Sequence, residues 1–467
     1  MALDVTVGID IGTTSVKALA VDAEGGVVAR ARVPHRLVVP APDLMEHDAV
    51  RAWRRGPRAA LAGVIASAEQ SVSTRIRQVG VCVSSMVPSV TAVDNKGIPR
   101  TPGLLYGDAR GGDLGAAQPG SSEEVSEFIR WTSSEFPGAR GYWPALAVAN
   151  YALGRRAAID TATAFTYFPL HTGMEWDAEL LSRLGAVPAQ MPAVVPLGEP
   201  VVKMGDGVLS SGSIDALGEQ MVAGARDDGD VLVICGSTLV VWVVVPEWVE
   251  VPGLWTVPHT VPGKVLIGGA SNAGGLFLQW VAAMIGFGSL EAALERFDDV
   301  VGSSPARDVP VWAPYPRGER TPLHDPARRA AITGMDMTHG PSAVLRAALE
   351  ATGFVVRHHV DLAIAGLGKR SGVAPRRIVA TGGGSRSRAW MQALADATGL
   401  VVDVVAVPEG AALGSAYVAR MAAGLESSFE GGARWARIGG RIDPLQASLE
   451  PCSERYLSFR ELSGDVG

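Results

Sequence analysis

Apolar and small polar residues alternate at the start of the chain. Residues 5–11 read VTVGIDI, with a branched apolar side chain at every second position, which is the period-two pattern of a strand. The run Gly12-Thr13-Thr14 interrupts this pattern, and Val16 to Val21 resumes it. Val27 to Val33 predicts a third antiparallel strand. The pattern therefore predicts a β-hairpin that carries Asp10 near its tip, with small hydroxyl residues beside it.

The same plan returns in the middle of the chain. Val231 to Cys235 predicts a strand, Gly236-Ser237-Thr238 a turn and Leu239 to Val245 a second strand, and Val249 to Val257 is a candidate third strand. A repeat at this distance indicates two related lobes. We place the division after residue 226.

Strands in the second half run into glycine-rich loops and helices. Ile378 to Ala380 leads into Gly382 to Ser385, and a helix from Arg388 to Thr398 is stopped by Gly399. A further strand and a helix from residue 409 to residue 423 follow. Open α/β sheets bind nucleotides at such loops. The predicted fold class is therefore α/β, with domains 1–226 and 227–467.

Composition narrows the class of protein. The 467 residues, 47% hydrophobic and 19% charged, describe a soluble globular chain of two or more domains. A net charge of −7 argues against nucleic acid or an anionic membrane as partner. The cysteines Cys82, Cys235 and Cys452 form no CxxC pair, and with no visible signal peptide they favour a reducing cytoplasm.

Four motifs stand in the order found in the FGGY-type carbohydrate kinases. They are DIGTTSVK at 10–17, CGST at 235–238, PYPRGERTP at 314–322 and TGGGSRSRAW at 381–390. The chain resembles this family over residues 4 to about 423, and within it the xylulose kinases. The resemblance implies two actin-like (RNase H-like) lobes with the active site in a cleft between them. It also implies transfer of the ATP γ-phosphate to a sugar or polyol hydroxyl.

The resemblance assigns residues to ATP and Mg²⁺. Asp10 resembles the carboxylate that holds Mg²⁺, directly or through water. From the residues alone, this turn suits a phosphate chain because it offers N–H and hydroxyl donors without bulk, although an ordinary hairpin has the same pattern. The residues that resemble the nucleotide-binding elements are Thr13, Thr14, Lys17, Ser237, Thr238, Gly275, Gln279, Gly383, Gly384 and Arg388.

Asp215 occupies the place of the family's catalytic base. Relatives read GGGDxxAG, whereas this chain reads Gly212-Ser213-Ile214 before Asp215. The alternative is an N-cap, because Asp before Ala216 suits the start of a helix. The two roles are compatible, and we assign Asp215 as the base and as a substrate contact.

Three further residues are assigned to the sugar pocket. Asp108 and Arg110 match the family's Asp-x-Arg, and the alternative for them is a surface salt bridge. Met86 lies in a loop, Ser85-Met86-Val87-Pro88, where xylulose kinases carry Gln-Met-His-Gly. The segment 111–142 is shortened relative to the family. A ketopentose such as xylulose is the favoured acceptor.

Two rival functions remain open. An actin-like ATPase or a sugar-sensing regulator would share the nucleotide motifs without transferring phosphate. A carboxylate kinase, or a kinase for another polyol such as glycerol, would share the lobes. The expected partners are a small sugar or polyol and ATP, with no nucleic acid and no membrane, and a homodimer is left open.

Overall fold

The chain divides into two units. One unit comprises Met1–Val222 and Glu409–Trp435, and the other comprises Ala223–Pro408 and Ala436–Gly467. The computed structural model describes residues 2–41, 44–111, 123–297, 309–368 and 372–464. The expectation of a loop from 111 to 120 therefore falls almost wholly outside the described residues, as does the beginning of the shortened segment 111–142.

The predicted hairpin forms the centre of a mixed sheet in the first unit. The strands of this unit, in chain order, are β1 (Leu3–Ile11), β2 (Ser15–Val21), β3 (Val27–Pro34), β4 (Leu37–Val38), β5 (Glu46–His47), β6 (Ile76–Ser85), β7 (Ser89–Val93), β8 (Gly103–Leu105), β9 (Gly141–Trp143), β10 (Ala158–Asp160), β11 (His171–Thr172), β12 (Glu175–Trp176), β13 (Ala193–Val195), β14 (Pro200–Met204), β15 (Gly207–Ser210) and β16 (Ser213–Ile214). The main sheet has the order β14-β15-β6-β1-β2-β3, and β16 also pairs with β6.

A second sheet repeats this plan in the second unit. Its unit contains β17 (Asp230–Cys235), β18 (Leu239–Val245), β19 (Trp255–Pro258), β20 (Val265–Ser271), β21 (Val311–Ala313), β22 (Ala331–Thr333), β23 (Arg377–Thr381), β24 (Val402–Val405) and β25 (Ile438–Ile442). The order is β19-β20-β18-β17-β23-β24-β25. In each sheet an antiparallel hairpin is followed by a parallel partner on the other side of its first strand. The predicted duplication is confirmed.

The predicted third strand of the second repeat was wrong. We expected it at Val249 to Val257, but the strand that pairs antiparallel with β18 is β20, and β19 pairs with the far side of β20. Pro252 has no N–H to donate, and Gly253 has a φ of +80°. These two residues break the extended pattern before β19 begins.

Helices cover the sheets. In chain order they are α1 (Gly56–Ser71), α2 (Glu123–Glu135), α3 (Ala145–Gly154), α4 (Thr161–Phe165), α5 (Ala178–Arg183), α6 (Asp215–Ala223), α7 (Gly275–Met284), α8 (Leu290–Arg296), α9 (Pro341–Leu367), α10 (Arg388–Thr398), α11 (Gly410–Ala422) and α12 (Gln446–Leu462). The predicted end of α10 is confirmed, since Gly399 follows it with a φ of +70°. In the described part of the chain no helix is both long enough and apolar enough to cross a bilayer.

Each unit has an apolar core. In the second unit, the branched residues of β17 and β18 pack with α9 and α10, with Phe354 and Trp390 fully buried among them. In the first unit, a smaller five-stranded sheet, β4-β5-β8-β7-β9, packs against α2 through Phe128 and Ile129. This smaller sheet contains β5, which carries Glu46 and His47, and β8, which leads into the polar residues described below.

Helix α11 lies against the first sheet with almost no space between the two backbones. A Cβ atom added to Gly8 in β1 would lie 1.8 Å from the carbonyl oxygen of Ala412, and one added to Gly80 in β6 would lie 2.5 Å from that of Ala419. Only glycine fits such a contact. The alanine and glycine residues of α11 therefore allow the helix to pack directly on β1 and β6.

Helix α11 belongs to the first unit, although the domain limits we expected place it in the second. The predicted division after residue 226 falls close to the one after Val222, but we assigned all of 227–467 to one domain, whereas Glu409–Trp435 clusters with the first unit. The reason is the close packing of α11 on Gly8 and Gly80. A pattern of small residues along a helix does not indicate which sheet it will contact.

Gly8→Ala should destabilise the first unit. Its Cβ would overlap a backbone oxygen of α11, so the helix must shift, at a cost of about 1–3 kcal/mol. We expect a lower midpoint of urea unfolding. Gly63→Ala is the matched control, because Gly63 is exposed in α1 and its added Cβ would make only an ordinary contact at 3.5 Å. That variant should gain about 0.5–1 kcal/mol from helix propensity. Equal stability of the two variants would contradict the packing argument.

Candidate active site

Three parallel strands end at one edge of the first sheet. Asp10 of β1 pairs with Ser84 of β6, and Ser84 pairs with Ser213 of β16. Asp215 follows β16 directly as the first residue of α6. Adjacent strands are spaced by about 4.8 Å, so the ends of β1 and β16 are about 10 Å apart. The register therefore brings Asp10 and Asp215, the two predicted carboxylates, to the same edge.

Asp10 is buried with half of its carboxylate unpartnered. The residue is 7% exposed, and its Oδ1 atom has no hydrogen-bond partner. Its Oδ2 lies 4.0 Å from Nζ of Lys17, the residue opposite it in β2. Burial raises the pKa of Asp10, while Lys17 and Ser84 act to lower it. A buried oxygen without a partner is costly unless a cation or donor meets it.

These features fit a magnesium ion. No group of three or more potential metal ligands occurs in the ranges that the structure describes. Mg²⁺ nevertheless binds through one or two carboxylates and takes its other ligands from water and phosphate oxygens. The unpartnered Oδ1 of Asp10 is therefore a suitable single protein ligand.

The first hairpin turn presents some of its polar groups and encloses others. The N–H of Gly12 donates to the carbonyl of Ser15 at 3.1 Å, which closes the turn. Thr14 is exposed, and Lys17 keeps 34% of its side chain exposed. Thr13 is buried, and its hydroxyl shares a hydrogen bond of 3.2 Å with the hydroxyl of Tyr106. Thr14 and Lys17 are thus open to a phosphate, whereas the hydroxyl of Thr13 is engaged within the protein.

Asp108 and Arg110 form a buried ion pair. The Arg110 guanidinium donates to both carboxylate oxygens of Asp108, at 2.8 and 2.7 Å, and to Oε2 of Glu46 at 2.7 Å. Asp108 is fully buried and also accepts the backbone N–H groups of Met45 and Arg110. The guanidinium lies 4.8 Å from the ring centre of Trp131. The alternative of a surface salt bridge does not describe this buried pair, in which Asp108 fixes Arg110.

The strand expected over residues 104–110 is shorter than predicted. Strand β8 ends at Leu105, whose carbonyl accepts the N–H of Asp108, and Gly107 between them has a φ of +76°. This turn leads the chain into the Asp108–Arg110 pair. Met86, which follows β6, is 3% exposed, and it lies at the same edge as Asp215.

In the second unit, the hairpin turn packs on the start of α7. The N–H groups of Gly275 and Leu276 donate to the carbonyls of Gly236 and Ser237 at 2.9 and 3.0 Å. A Cβ atom on Gly275 would lie 2.8 Å from the Gly236 oxygen. Gly275 therefore has a packing role, while Ser237 and Thr238 remain partly exposed.

The glycine loop after β23 lies at the same edge of the second sheet. Because β23 is parallel to β17, Gly382 follows its strand next to the hairpin turn. Gly383 and Arg388 are exposed, and a Cβ on Gly383 would meet nothing within 4 Å. A Cβ on Gly384 would lie 2.1 Å from the Trp390 ring, so this glycine is needed for packing.

Gln279 has a structural partner. Its Oε1 accepts the N–H of Leu290 at 2.9 Å, and its Nε2 donates to the carbonyl of Gly288 at 3.4 Å. The side chain thus braces the connection between α7 and α8. The assignment of Gln279 beside the nucleotide stays a prediction.

Sequence reasoning missed Glu319. It lies in the PYPRGERTP motif, in which no site residue was predicted. Its Oε2 accepts from the Ser271 hydroxyl at 2.6 Å, and its Oε1 accepts the N–H groups of Asn272 and Arg320 at 3.0 and 2.6 Å. Burial raises the pKa of Glu319 to about 7, although these hydrogen bonds act to lower it. Ser271 pairs with Leu239, which follows the hairpin turn, so Glu319 supports the backbone beside that turn.

His47 was also missed. It is buried in the two-residue strand β5 and contacts the carbonyl of Thr13 at 2.8 Å. The run Met45-Glu46-His47-Asp48 has neither strand nor helix periodicity. The one signal is a group of three titratable residues shortly before an amphipathic helix.

Comparison with protein families agrees with these features. Residues 5–113 match the N-terminal domain model of the FGGY family of carbohydrate kinases, and residues 231–423 match the C-terminal domain model of the same family. Together the two matches cover more than half of the chain. The chain therefore belongs to the FGGY family of carbohydrate kinases, and its two repeated sheets are the actin-like lobes of that family.

Individual relatives differ in the acceptor that their names give. The xylulose kinase of Escherichia coli K12 is 25% identical over 97% of this chain and 96% of its own. The gluconokinase of Bacillus subtilis 168 is 25% identical over 91% of this chain and 88% of its own. The crystal structure of xylulose kinase from Rhodospirillum rubrum has a TM-score of 0.75 at 28% identity, covering 98% of each chain. The resemblance to carbohydrate kinases is thereby confirmed.

Glu319 should make the second unit less stable as pH rises. Its pKa is about 7 in the folded state against an ordinary value of 4.5, so between these values the folded state binds more protons than the unfolded state. The linkage relation then lowers the unfolding free energy with rising pH, by up to about 3 kcal/mol. Glu319→Gln should flatten the fall in unfolding free energy between pH 5 and pH 8, measured by urea titration. The exposed Glu247→Gln is the control, and an unchanged slope in Glu319→Gln would contradict the assignment.

Proposed function

We propose that this carbohydrate kinase transfers the γ-phosphate of ATP to a hydroxyl of a sugar or polyol, with a ketopentose such as xylulose as the favoured acceptor. The observation that carries this proposal is the register that aligns Asp10, Ser84 and Ser213, and so brings Asp10 and Asp215 to one edge. Phosphoryl transfer needs a carboxylate for the metal and a second one for the hydroxyl proton. The first sheet offers both.

Asp10 is the proposed magnesium ligand. Its buried and unpartnered Oδ1 atom supports this role. Mg²⁺, when bound with the nucleotide, would neutralise negative charge on the phosphate oxygens. Lys17, with Nζ 4.0 Å from Asp10 Oδ2, provides a second positive charge close to the same carboxylate.

Asp215 is the proposed general base. Its carboxylate accepts the proton of the acceptor hydroxyl as the oxygen forms its bond to γ-phosphorus. The bond from γ-phosphorus to the bridging oxygen breaks, and ADP leaves with that electron pair. Asp215 is partly exposed at the first position of α6, which leaves it accessible to an acceptor. Its Oδ1 accepts the N–H of the adjacent Ala216 at 2.7 Å, which is not the N-cap bond to the second or third helical N–H.

The two hairpin turns are the proposed phosphate-binding elements. Thr14 is exposed in the first turn, and Ser237 and Thr238 are partly exposed in the second. These hydroxyls and Lys17 can donate to phosphate oxygens, and such donors stabilise the charge that develops during transfer. In the same proposal Gly383 and Arg388 face the adenosine, and Gly275, Gln279 and Gly384 support these elements through packing.

Arg110 is the proposed acceptor contact on the first unit. Asp108 and Glu46 hold its guanidinium in one orientation, which is the preorganisation that a sugar hydroxyl needs from a donor. Met86 provides an apolar surface beside Asp215. The reaction is assigned to the cytoplasm, in agreement with three cysteines that are buried as free thiols.

Asp215→Asn should lower kcat by about 10²-fold or more, because the amide cannot accept the hydroxyl proton. The ATP dissociation constant should stay within about 2-fold, since Asp215 has no part in nucleotide binding. Asp177→Asn is the matched control: Asp177 caps α5 and accepts the N–H of Leu180 at 2.8 Å. Near-normal turnover in Asp215→Asn would show that another group is the base.

An acceptor panel tests the reaction itself. ADP release with Mg-ATP should be stimulated by one acceptor among ketopentoses, ketohexoses, polyols, glycerol and gluconate, with kcat/KM about 10-fold or more above the others. The phosphorylated acceptor should appear in equal amount by mass spectrometry. ATP turnover that needs no acceptor would favour the ATPase alternative, and the absence of turnover with every acceptor would favour a sensor.

A further inference from the structure

Strand β5 contacts the ion pair on the proposed acceptor side. The backbone N–H of Met45, just before the strand, donates to Oδ2 of Asp108. The carboxylate of Glu46 accepts from the guanidinium of Arg110 at 2.7 Å. Glu46 and Arg110 are 17% and 14% exposed in their side chains, so this contact is shielded from water and breaking it would leave a poorly solvated charge. One edge of β5 is therefore tied to the group that fixes Arg110.

The next residue of β5 contacts the phosphate turn. His47 Nε2 lies 2.8 Å from the carbonyl oxygen of Thr13, and the indole N–H of Trp53 lies 3.0 Å from His47 Nδ1. An indole nitrogen only donates, so Nδ1 must accept. Burial lowers the pKa of His47 to about 4, and the neutral ring therefore carries its one proton on Nε2. That proton is donated to the carbonyl of Thr13.

Thr13 is held at two points. His47 binds its carbonyl, and the hydroxyl of Tyr106 binds its side chain. The exposed neighbour, Thr14, has its carbonyl bound by the N–H of His35 at 3.0 Å. Thr13 is thus held in the protein interior by His47 and Tyr106, and the turn exposes Thr14 to solvent.

We propose that His47 is a positioning residue that holds the phosphate turn in its working geometry, and that β5 couples this turn to the acceptor-side guanidinium of Arg110. The coupling part rests on the proposed function, because it takes Arg110 as the acceptor contact. Thr13 is the link on the phosphate side, and Glu46 is the link on the acceptor side.

The coupling has a continuous physical path. Glu46 and His47 are consecutive, and their backbone is paired with Leu104 and Gly103 of β8. An acceptor that draws Arg110 out of its present position must also move Glu46 or break that ion pair. Since the strand has only two residues, a shift at Glu46 reaches the imidazole that binds the turn. Packed networks with two arrangements carry coupling of this kind.

Hydrogen exchange tests the positioning role without any acceptor. In His47→Leu, which removes the donor, amides in the peptide covering residues 10–17 should exchange about 10-fold faster, because the turn opens more readily. In His47→Gln, whose side-chain amide can still donate, exchange should stay within about 2-fold of wild type. His171→Leu is the matched control, since His171 is a buried histidine that packs on Trp176. Wild-type exchange in His47→Leu would overturn the proposal.

A second variant keeps the test decisive if His47→Leu does not fold. Trp53→Phe keeps a buried ring but removes the N–H that fixes the tautomer of His47. Exchange over residues 10–17 should again be faster than in wild type, and an unchanged rate would overturn the positioning role.

Nucleotide affinity tests the coupling. We expect the identified acceptor to tighten the binding of ADP with Mg²⁺ in wild type. The ratio of the ADP dissociation constants without and with the acceptor should fall towards one in His47→Leu. It should not fall in His47→Gln or His171→Leu. An unchanged ratio in His47→Leu would overturn the coupling. If no acceptor is phosphorylated by wild type, the proposed function and the coupling both fail, while the exchange result still decides the role of His47.

Discussion

The parallel hydrogen-bond register of β1, β6 and β16 determines where Asp10 and Asp215, the two carboxylates proposed for the reaction, lie in the first unit. Asp10, Ser84 and Ser213 are aligned across these strands, and Asp215 follows β16 as the first residue of α6. A slip of one residue would turn each side chain to the opposite face of the sheet. The slip is prevented on one side by α11, whose backbone contacts Gly8 so closely that no other residue fits. The site is therefore specified by packing that lies beneath it.

Two buried carboxylates in this unit illustrate opposite uses of burial. Asp108 is saturated, because each of its oxygens accepts two hydrogen bonds, and it serves to fix Arg110. Asp10 keeps Oδ1 without a partner and has a raised pKa. Burial of an unpaired charge costs stability unless a ligand compensates it. The unpartnered Oδ1 supports the proposed metal-binding role of Asp10, and the saturated Asp108 supports the proposed role of Arg110 as the acceptor contact.

The strands and the duplication could be predicted because they depend on local periodicity, as residues 5–11 show. The role of Gln279 could not, because its partners follow after the end of its helix. His47 lies in a strand of two residues, too short for any period to be detected, and its function depends on Thr13, which is distant in sequence. The residues proposed to bind were assigned from motifs, whereas the residues that hold them in place depend on long-range contacts, as His47 does on Thr13.

The duplicated hairpins show how one backbone plan serves different tasks. In the first unit the turn is closed by a backbone hydrogen bond from Gly12 to Ser15, and it is also held by side chains, since His47 and Tyr106 both bind Thr13. In the second unit the turn is fixed by backbone, since the first N–H groups of α7 donate to Gly236 and Ser237. In the proposed coupling, the first turn responds through His47 to what β5 contacts. If Arg110 contacts the acceptor as proposed, the first turn is the one whose geometry depends on the acceptor.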